Sequence, residues 1–291
     1  MTASDSLQRF LFEQAAVRGE HVRLDTSWRT VLERHDYPPV VRDLLGELMA
    51  AAALLSATLK YTGSMILQIQ GDGPIRLLVV EATSDRTLRG MAQWKEIPEQ
   101  ASTAELIGDG RFVITIDPRE DGQRYQGIVS LEGASVSAML ENYLKRSEQL
   151  ESRLWLAANA ERAAGLLLQR LPSDTDDDDD AWGHLTLLGA TLKTEELLGL
   201  TGRDIIHRLF HEEDLRLFDA ETIRFACSCS RERVVAVLRM LGHAEVQSIL
   251  QEQGNVDVHC EFCNRRFTYD AVDAEQLFAA ESGNPASPTR H

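Results

Sequence analysis

Four cysteines are the only ones in this 291-residue chain, and they fall in two close pairs: Cys227-Ser-Cys229, thirty residues, then Cys260-Glu-Phe-Cys263. Two pairs of thiolates from one short segment form the donor set of a tetrahedral zinc ion. A site closed by four protein ligands leaves no open position for water or substrate, so hydrolytic zinc catalysis is not expected. The same four thiols can instead close into two disulfides. His259 is the other candidate ligand. On an extended strand it points away from its neighbour Cys260, and it is not counted. The expectation is one zinc per chain, held by Cys227, Cys229, Cys260 and Cys263.

The first pair is unusual. Zinc knuckles commonly present Cys-x-x-Cys, whereas one residue separates Cys227 from Cys229. A disulfide across one residue is a tight ring that does not share the geometry of two thiolates on one metal. Oxidation would have to eject the ion and rearrange the backbone, since bound thiolates are already deprotonated and open to oxidants. Spacing alone leaves two readings open, an inert structural zinc module and an oxidisable switch.

The elements around the cysteines make a compact unit from Thr222. Ile223 to Cys229 reads as a strand into the first pair. Ser230 is an N-cap for a helix from Arg231 to Leu241 that Gly242 ends, and a second helix runs from Ala244 to Gln253 before Gly254. Val256 to His259 enters the second pair and Arg266 to Tyr269 leaves it. These residues carry few large apolar side chains, below the size at which a core suffices alone.

Before this unit, residues 174–221 hold fourteen Asp or Glu against four Lys or Arg. The run Asp176 to Asp180 reads as solvated linker, because it cannot bury itself. It lacks the glycine and terminal Glu of a calcium-binding EF-hand loop. Yet Trp182, Leu185, Leu188, Leu192, Leu197, Leu198, Ile205, Ile206, Leu209, Phe210, Leu215 and Phe218 supply helical apolar faces, interrupted at Thr201-Gly202. Short amphipathic helices are marginal alone and need a surface, which the first domain offers. His207 and His211, four apart, read as exposed polar residues, since His211-Glu-Glu-Asp214 is not the zinc-protease pattern.

The N-terminal part reads as mixed helix and strand. Asp43 to Lys60 is a buried helix. Strands are expected at Met65 to Gln70, Ile75 to Glu81, Phe112 to Asp117 and Gln126 to Leu131, with a helix near Ser135 to Arg146. Gly71-Asp-Gly-Pro74 is a hairpin turn; it lacks the helix start and Lys of a phosphate cradle. Ala163 to Leu168 is strand or helix, and periodicity does not decide.

Composition bounds the function. With 46 acidic and 30 basic residues the formal charge is −16, and 43% of residues are hydrophobic. A phosphate backbone is gripped by concentrated Lys and Arg, so nucleic-acid binding is disfavoured despite a small basic face of Arg231, Arg233, Arg239, Arg265 and Arg266. The start of the sequence shows no basic region followed by an apolar one, and Leu48 to Ser56 is too short to cross a bilayer. The expected compartment is the reducing cytoplasm, with no membrane partner.

Taken together, the pattern resembles the 33-kDa heat-shock protein family of redox-regulated holdase chaperones. The resemblance rests on Cys227-Ser-Cys229 and Cys260-Glu-Phe-Cys263-Asn264, with Cys229-Ser-Arg-Glu-Arg233 and Arg266-Phe-Thr-Tyr-Asp270 beside them. Leu67-Gln-Ile-Gln-Gly-Asp-Gly-Pro74, Arg124-Tyr-Gln-Gly-Ile-Val129 and Tyr143-Leu-Lys-Arg-Ser-Glu-Gln149 extend it over nearly the whole chain. The acidic run at Asp176 to Asp180 departs from it. The resemblance implies a chaperone that is inactive when reduced and zinc-bound. Oxidation joins Cys227 to Cys229 and Cys260 to Cys263, zinc leaves, and linker and C-terminal domain unfold to hold unfolding clients, commonly as a homodimer. It uses no ATP, in keeping with the lack of a Walker motif, and is not an enzyme. The implied fold is α+β: a client-holding domain over 1–173, an acidic helical linker over 174–221, a zinc-binding switch domain over 222–270, and a tail over 271–291. Two alternatives are a thiol-disulfide oxidoreductase using Cys260 and Cys263, and an inert zinc module for partner binding. The former normally places its pair at a helix N-terminus.

Overall fold

The computed structural model describes residues 5–119, 122–172 and 178–282. It divides into two compact units, 1–226 and 227–291. The first unit opens with β1 (Ser6–Phe12), β2 (Val17–Leu24), α1 (Thr26–Leu32), α2 (Pro39–Thr58), β3 (Gly63–Gly71), β4 (Ile75–Thr83) and β5 (Thr87–Trp94). It continues with α3 (Thr103–Ile107), β6 (Gly110–Pro118), β7 (Tyr125–Val129), α4 (Val136–Ser147), β8 (Ser152–Ala158) and β9 (Ala163–Arg170). Then come α5 (Asp178–Gly189), α6 (Thr194–Gly199), α7 (Gly202–Phe210), β10 (Leu215–Leu217), β11 (Glu221–Thr222) and β12 (Arg224–Phe225). The strands form two sheets, β10-β1-β2-β9-β8 with β11 also on β1, and β12-β5-β4-β3-β6-β7.

The long helix organises this unit. Pro39, with its fixed φ and no amide donor, starts α2, and thirteen of its twenty residues are buried. A helix apolar all round must be covered all round. Leu45, Leu48, Met49 and Leu54 share one core with Leu67, Ile69 and Val80 of the second sheet and Val22 and Leu167 of the first. The undecided run Ala163 to Leu168 is strand β9, buried throughout. It is covered on both faces, which is why its sequence is a continuous apolar run without alternation.

The hairpin at Gly71 to Pro74 joins β3 to β4 as expected. Its donors are already engaged: Asp72 N donates to Asp109 O at 3.0 Å and Gly73 N to Ile107 O at 2.9 Å. A Cβ on Gly71 would lie 2.0 Å from Ile107 O, so the glycine is there for close backbone approach. Two of the family-like segments also meet. The phenols of Tyr125 and Tyr143 both donate to Glu148 Oε1, at 2.9 and 2.7 Å. Gly127 leaves room for the Tyr143 ring, which a Cβ would overlap.

Helices α5, α6 and α7 cover the other face of the first sheet. Leu185, Leu197, Ile205, Ile206, Leu209 and Phe210 bury themselves against Phe10, Phe12, Val17, Leu166 and Leu168. Thr201 caps α7, accepting from Asp204 N at 3.3 Å, which explains the interruption at Thr201-Gly202. Leu215 was expected on a helical face and instead lies in β10, opposite Phe12, while Phe218 is exposed. The open edge of β1 offers unpaired amides and carbonyls, and strand pairing satisfies them as another helical turn would not. Of the acidic run, Asp176 and Asp177 lie outside the described residues, whereas Asp178 to Asp180 open α5, at the end of a helix that favours negative charge.

The second unit holds α8 (Arg231–Leu241), α9 (His243–Gln253), β13 (Val256–His259), β14 (Arg266–Tyr269) and α10 (Ala271–Ser282). Two differences from expectation concern its limits. Glu221–Thr222 and Arg224–Phe225 pair with β1 and β5 of the first unit, so the compact unit starts at Cys227 rather than Thr222. Residues 271–282, expected as tail, are helical, with Ala274 in the core; 283–291 lie outside the described residues. Among the described residues, no helix is long and apolar enough to cross a membrane.

Phe210 is central to the linker's seat, with its ring centroid 5.9 Å from Phe10 and 5.2 Å from Phe12. Phe210→Ala is expected to cost about 3–5 kcal/mol of docking. Hydrogen exchange checks this: amides across 182–218 should lose protection while β3, β4 and β6 keep theirs.

Candidate metal centre

Local structure brings the two cysteine pairs together. Cys227 and Cys229 lie in the stretch between β12 and α8; of the strand expected over Ile223 to Cys229 only Arg224–Phe225 is paired, because β5 offers it two register positions. Ser230 ends that stretch as N-cap, its hydroxyl accepting from Arg233 N at 3.3 Å, and Arg233 Nη1 turns back to donate to Ser228 Oγ at 2.5 Å. The one residue between the first two cysteines is thus tied to the helix that follows.

Cys260 and Cys263 occupy the turn of the β13–β14 hairpin. Cys260 N donates to Arg265 O at 3.0 Å and Asn264 N to Cys260 O at 2.7 Å. Asn264 takes φ 53°, a left-handed conformation that Asn tolerates better than most side chains. The hairpin is braced by Asp257, which accepts from Arg266 Nε at 2.9 Å and Thr268 Oγ1 at 2.6 Å. Arg266, then Thr268, hold its carboxyl down at about 2. Asn264 stood in the sequence as the residue that follows Cys-x-x-Cys, without its left-handed role, and Asp257 was not singled out.

All four Sγ atoms lie within 4.8 Å of one another. Cys227 Sγ is 3.6 Å from Cys260 Sγ, and Cys229 Sγ is 3.3 Å from Cys263 Sγ. Four sulfurs around one zinc at the usual bond length would be about 3.8 Å apart. The cluster therefore has the size of a thiolate-bound metal site. Without a cation, burial and then the neighbouring Cys263 thiol push the Cys229 thiol well up, and burial raises Cys263 too. Packed thiols resist ionisation because each thiolate meets others nearby, and a divalent cation reverses that balance. The donor set fits a metal that prefers sulfur.

The other candidates separate from this cluster. His259 is exposed and outside the group of close donors. His207 and His211 stack with ring centroids 5.8 Å apart, and among the described residues no third metal-binding side chain joins them. The hairpin setting of Cys260 and Cys263 differs from the helix N-terminus of an oxidoreductase pair. Much of the basic face is engaged at home: Arg231 pairs with Asp273 at 2.9 Å, Arg266 with Asp257, and Arg239 Nε donates to Leu277 O at 3.1 Å.

Comparison with known proteins agrees with this arrangement. The chain is 50% identical to the 33 kDa chaperonin of Methylobacillus flagellatus over 293 residues, covering 100% of both chains. It is 50% identical to that of Nitrosococcus oceani over 291 residues and 48% identical to that of Pseudomonas aeruginosa over 298, again covering 100% of each chain. The crystal structure of the 33 kDa chaperonin from Thermotoga maritima shares the fold, with a TM-score of 0.84 at 23% identity, over 96% of this chain and 99% of that one. The family model described as Hsp33 protein matches residues 5–270, from β1 through both cysteine pairs. The chain belongs to the Hsp33 family.

Proposed function

We propose that this protein is a redox-regulated holdase chaperone that works without ATP in a reducing, cytoplasmic setting. The observation that carries the reading is the convergence of four sulfurs in a unit with little else to hold it. Its core consists of Val234, Leu238, Val246, Leu250, Val256, Phe267, Tyr269 and Ala274. A core of that size supplies about 3–5 kcal/mol at most, whereas a structural zinc site supplies on the order of 10–16 kcal/mol. Zinc bound through Cys227, Cys229, Cys260 and Cys263 would supply a compact positive charge that holds all four as thiolates.

Oxidation removes the donors. With peroxide as oxidant, each pair gives up two electrons, forms one S–S bond and, with two protons taken up, leaves two waters. In the proposed pairing Cys227 joins Cys229 and Cys260 joins Cys263. The shortest sulfur contacts run the other way, Cys227 to Cys260 and Cys229 to Cys263. Neighbour pairing therefore accompanies loosening of the unit and loss of the ion. The linker, joined to Cys227 through β11 and β12, then leaves the first sheet. That uncovers Phe10, Phe12, Leu166 and Leu168, an apolar face of the kind that holds unfolding clients and a second oxidised copy. The acidic residues of 174–221 keep the opened form soluble.

Three outcomes are expected. Metal analysis under reducing conditions gives one zinc per chain. Cys263→Ser weakens zinc by more than the about 10–100-fold typical of losing an outer partner, since a ligand itself is lost; full-affinity binding would sink the assignment. Peptide mapping after mild peroxide finds Cys260–Cys263 and Cys227–Cys229, with the first closing more readily because two intervening residues strain the ring less than one; a dominant Cys229–Cys263 link contradicts the pairing. Finally, the oxidised full-length protein suppresses aggregation of an unfolding client without ATP while the reduced protein does not. Equal holding by both forms would leave the inert zinc module as the better account.

A further inference from the structure

His21 lies in β2 on the face of the first sheet that the linker covers. The register sets it opposite Gln8 of β1 and Leu166 of β9. From above, Gly202 at the first position of α7 presses on the ring, so closely that a Cβ there would come within 2.7 Å of Nδ1. The imidazole is fully buried, and neither Nδ1 nor Nε2 has a hydrogen-bond partner. A neutral ring in that slot leaves one donor and one acceptor dry. An imidazolium would add a full charge and a second dry donor.

The charges around it make protonation harder. Arg23, two residues along the same face, donates from Nε to Asp25 Oδ2 at 3.1 Å and from Nη1 to Leu200 O at 3.0 Å. Arg162, just before β9, donates from Nε to Asp25 Oδ1 at 2.7 Å and from Nη1 to Leu198 O. Asp25 is thus shared between two arginines. On α7 the positive helix end and Arg203 come first, and Asp204 is turned to the Thr201 hydroxyl at 2.7 Å. On α6, Glu196 is paired with Arg208 at 2.6 Å. On β1, Gln8 is neutral and donates to Phe218 O. Glu20, next along β2, shares the opposite face with its cross-strand partner Arg9.

We propose that His21 makes linker docking acid-sensitive, so that protonation of its ring releases α6 and α7 from the first sheet while the cysteines are still reduced. Protons would then be a second trigger for the surface that oxidation uncovers, an inference that rests on the reading of the linker as cover. The sign follows from burial. In the docked form, desolvation and then Arg23 hold His21 down at about 4. Hydrated after release, it returns to about 6.5. A histidine depressed in this way leaves docking intact above the released value and weakens it as pH falls from there toward the docked one. At about pH 5 the docking equilibrium is about 30-fold less favourable than at about pH 7.5. Glu20 has the opposite sign: burial raises its carboxyl to about 7, so its contribution is present in acid and lost as pH rises through that value. It does not unfold the sheet in acid.

The test uses reduced, zinc-loaded, full-length protein at about pH 7.5 and pH 5, with hydrogen exchange corrected for its intrinsic pH dependence. Protection across 182–218 should fall about 30-fold in the unsubstituted chain on acidification, with β3 and β6 unchanged. His21→Leu, which fills the slot without a titrating group, should keep its protection at the lower pH and still respond to peroxide. His21→Gln, polar but non-titrating, should follow the Leu variant in its pH response and stands in if that variant folds poorly. Retained protection in the unsubstituted chain overturns the proposal. So does equal loss in the variants, the pattern that acid-driven loss of zinc would give. Release at the lower pH without suppression of client aggregation would overturn the reading of the linker as cover and leave the role of His21 standing.

Discussion

Four sulfurs within 4.8 Å of one another are the contact on which the proposed function makes the C-terminal unit depend. Its three helices and one hairpin bury little apolar surface, and several large side chains, Val237, Met240 and Leu241 among them, remain exposed. Chain entropy over some fifty ordered residues is not matched by a core of that size. The thiols cannot relieve the shortage among themselves, because crowding and burial oppose their ionisation. A divalent cation would turn the same crowding into binding, and under the proposed function the stability of the unit would then follow the oxidation state of four atoms.

The first unit shows the complementary design. Its long helix α2 is enclosed between two sheets, so its stability does not rely on the linker. The first sheet nevertheless keeps a second apolar face, and α5 to α7 close it with a separate cluster built on Phe10, Phe12 and Phe210. Two cores that share one sheet and little else can be separated: one can open while the other stays closed. Under the proposed function the acidic linker would serve two states with one composition, since its apolar positions fit the sheet when docked and carboxylates such as Glu195, Glu212 and Asp214 are exposed.

Polar groups at that seam refine the docking. Arg23 and Arg162, shared by Asp25, reach the carbonyls of Leu200 and Leu198 at the C-terminal end of α6, where a cation suits the helix dipole. Asp25 is itself placed by Asp5, which accepts from the amides of Asp25, Thr26 and Ser27 at the start of α1. Beside this satisfied network His21 is buried without a partner. The seam thus combines a satisfied ionic grip with one buried, unpartnered imidazole.

Much of this was legible in the sequence. The cysteine spacing pointed to four residues that the fold brings together, because a metal site needs suitable donor types with few residues between them. Ser230, Gly242 and Gly254 marked helix ends through local capping chemistry, and the alternation in β3 and β4 marked strands through their period. Those signals act within a few residues. What escaped depended on distant partners. Strand β9 was undecided because burial on both faces erases alternation, and β10 was taken as helix because only the free edge of β1 makes it a strand. The boundary moved from Thr222 to Cys227 because β11 and β12 find pairing partners in β1 and β5, far back in the chain. His21 carried no signal in sequence at all. Its isolation arises only when Gly202, 181 positions later, closes over its ring, and such a contact is decided by tertiary packing alone.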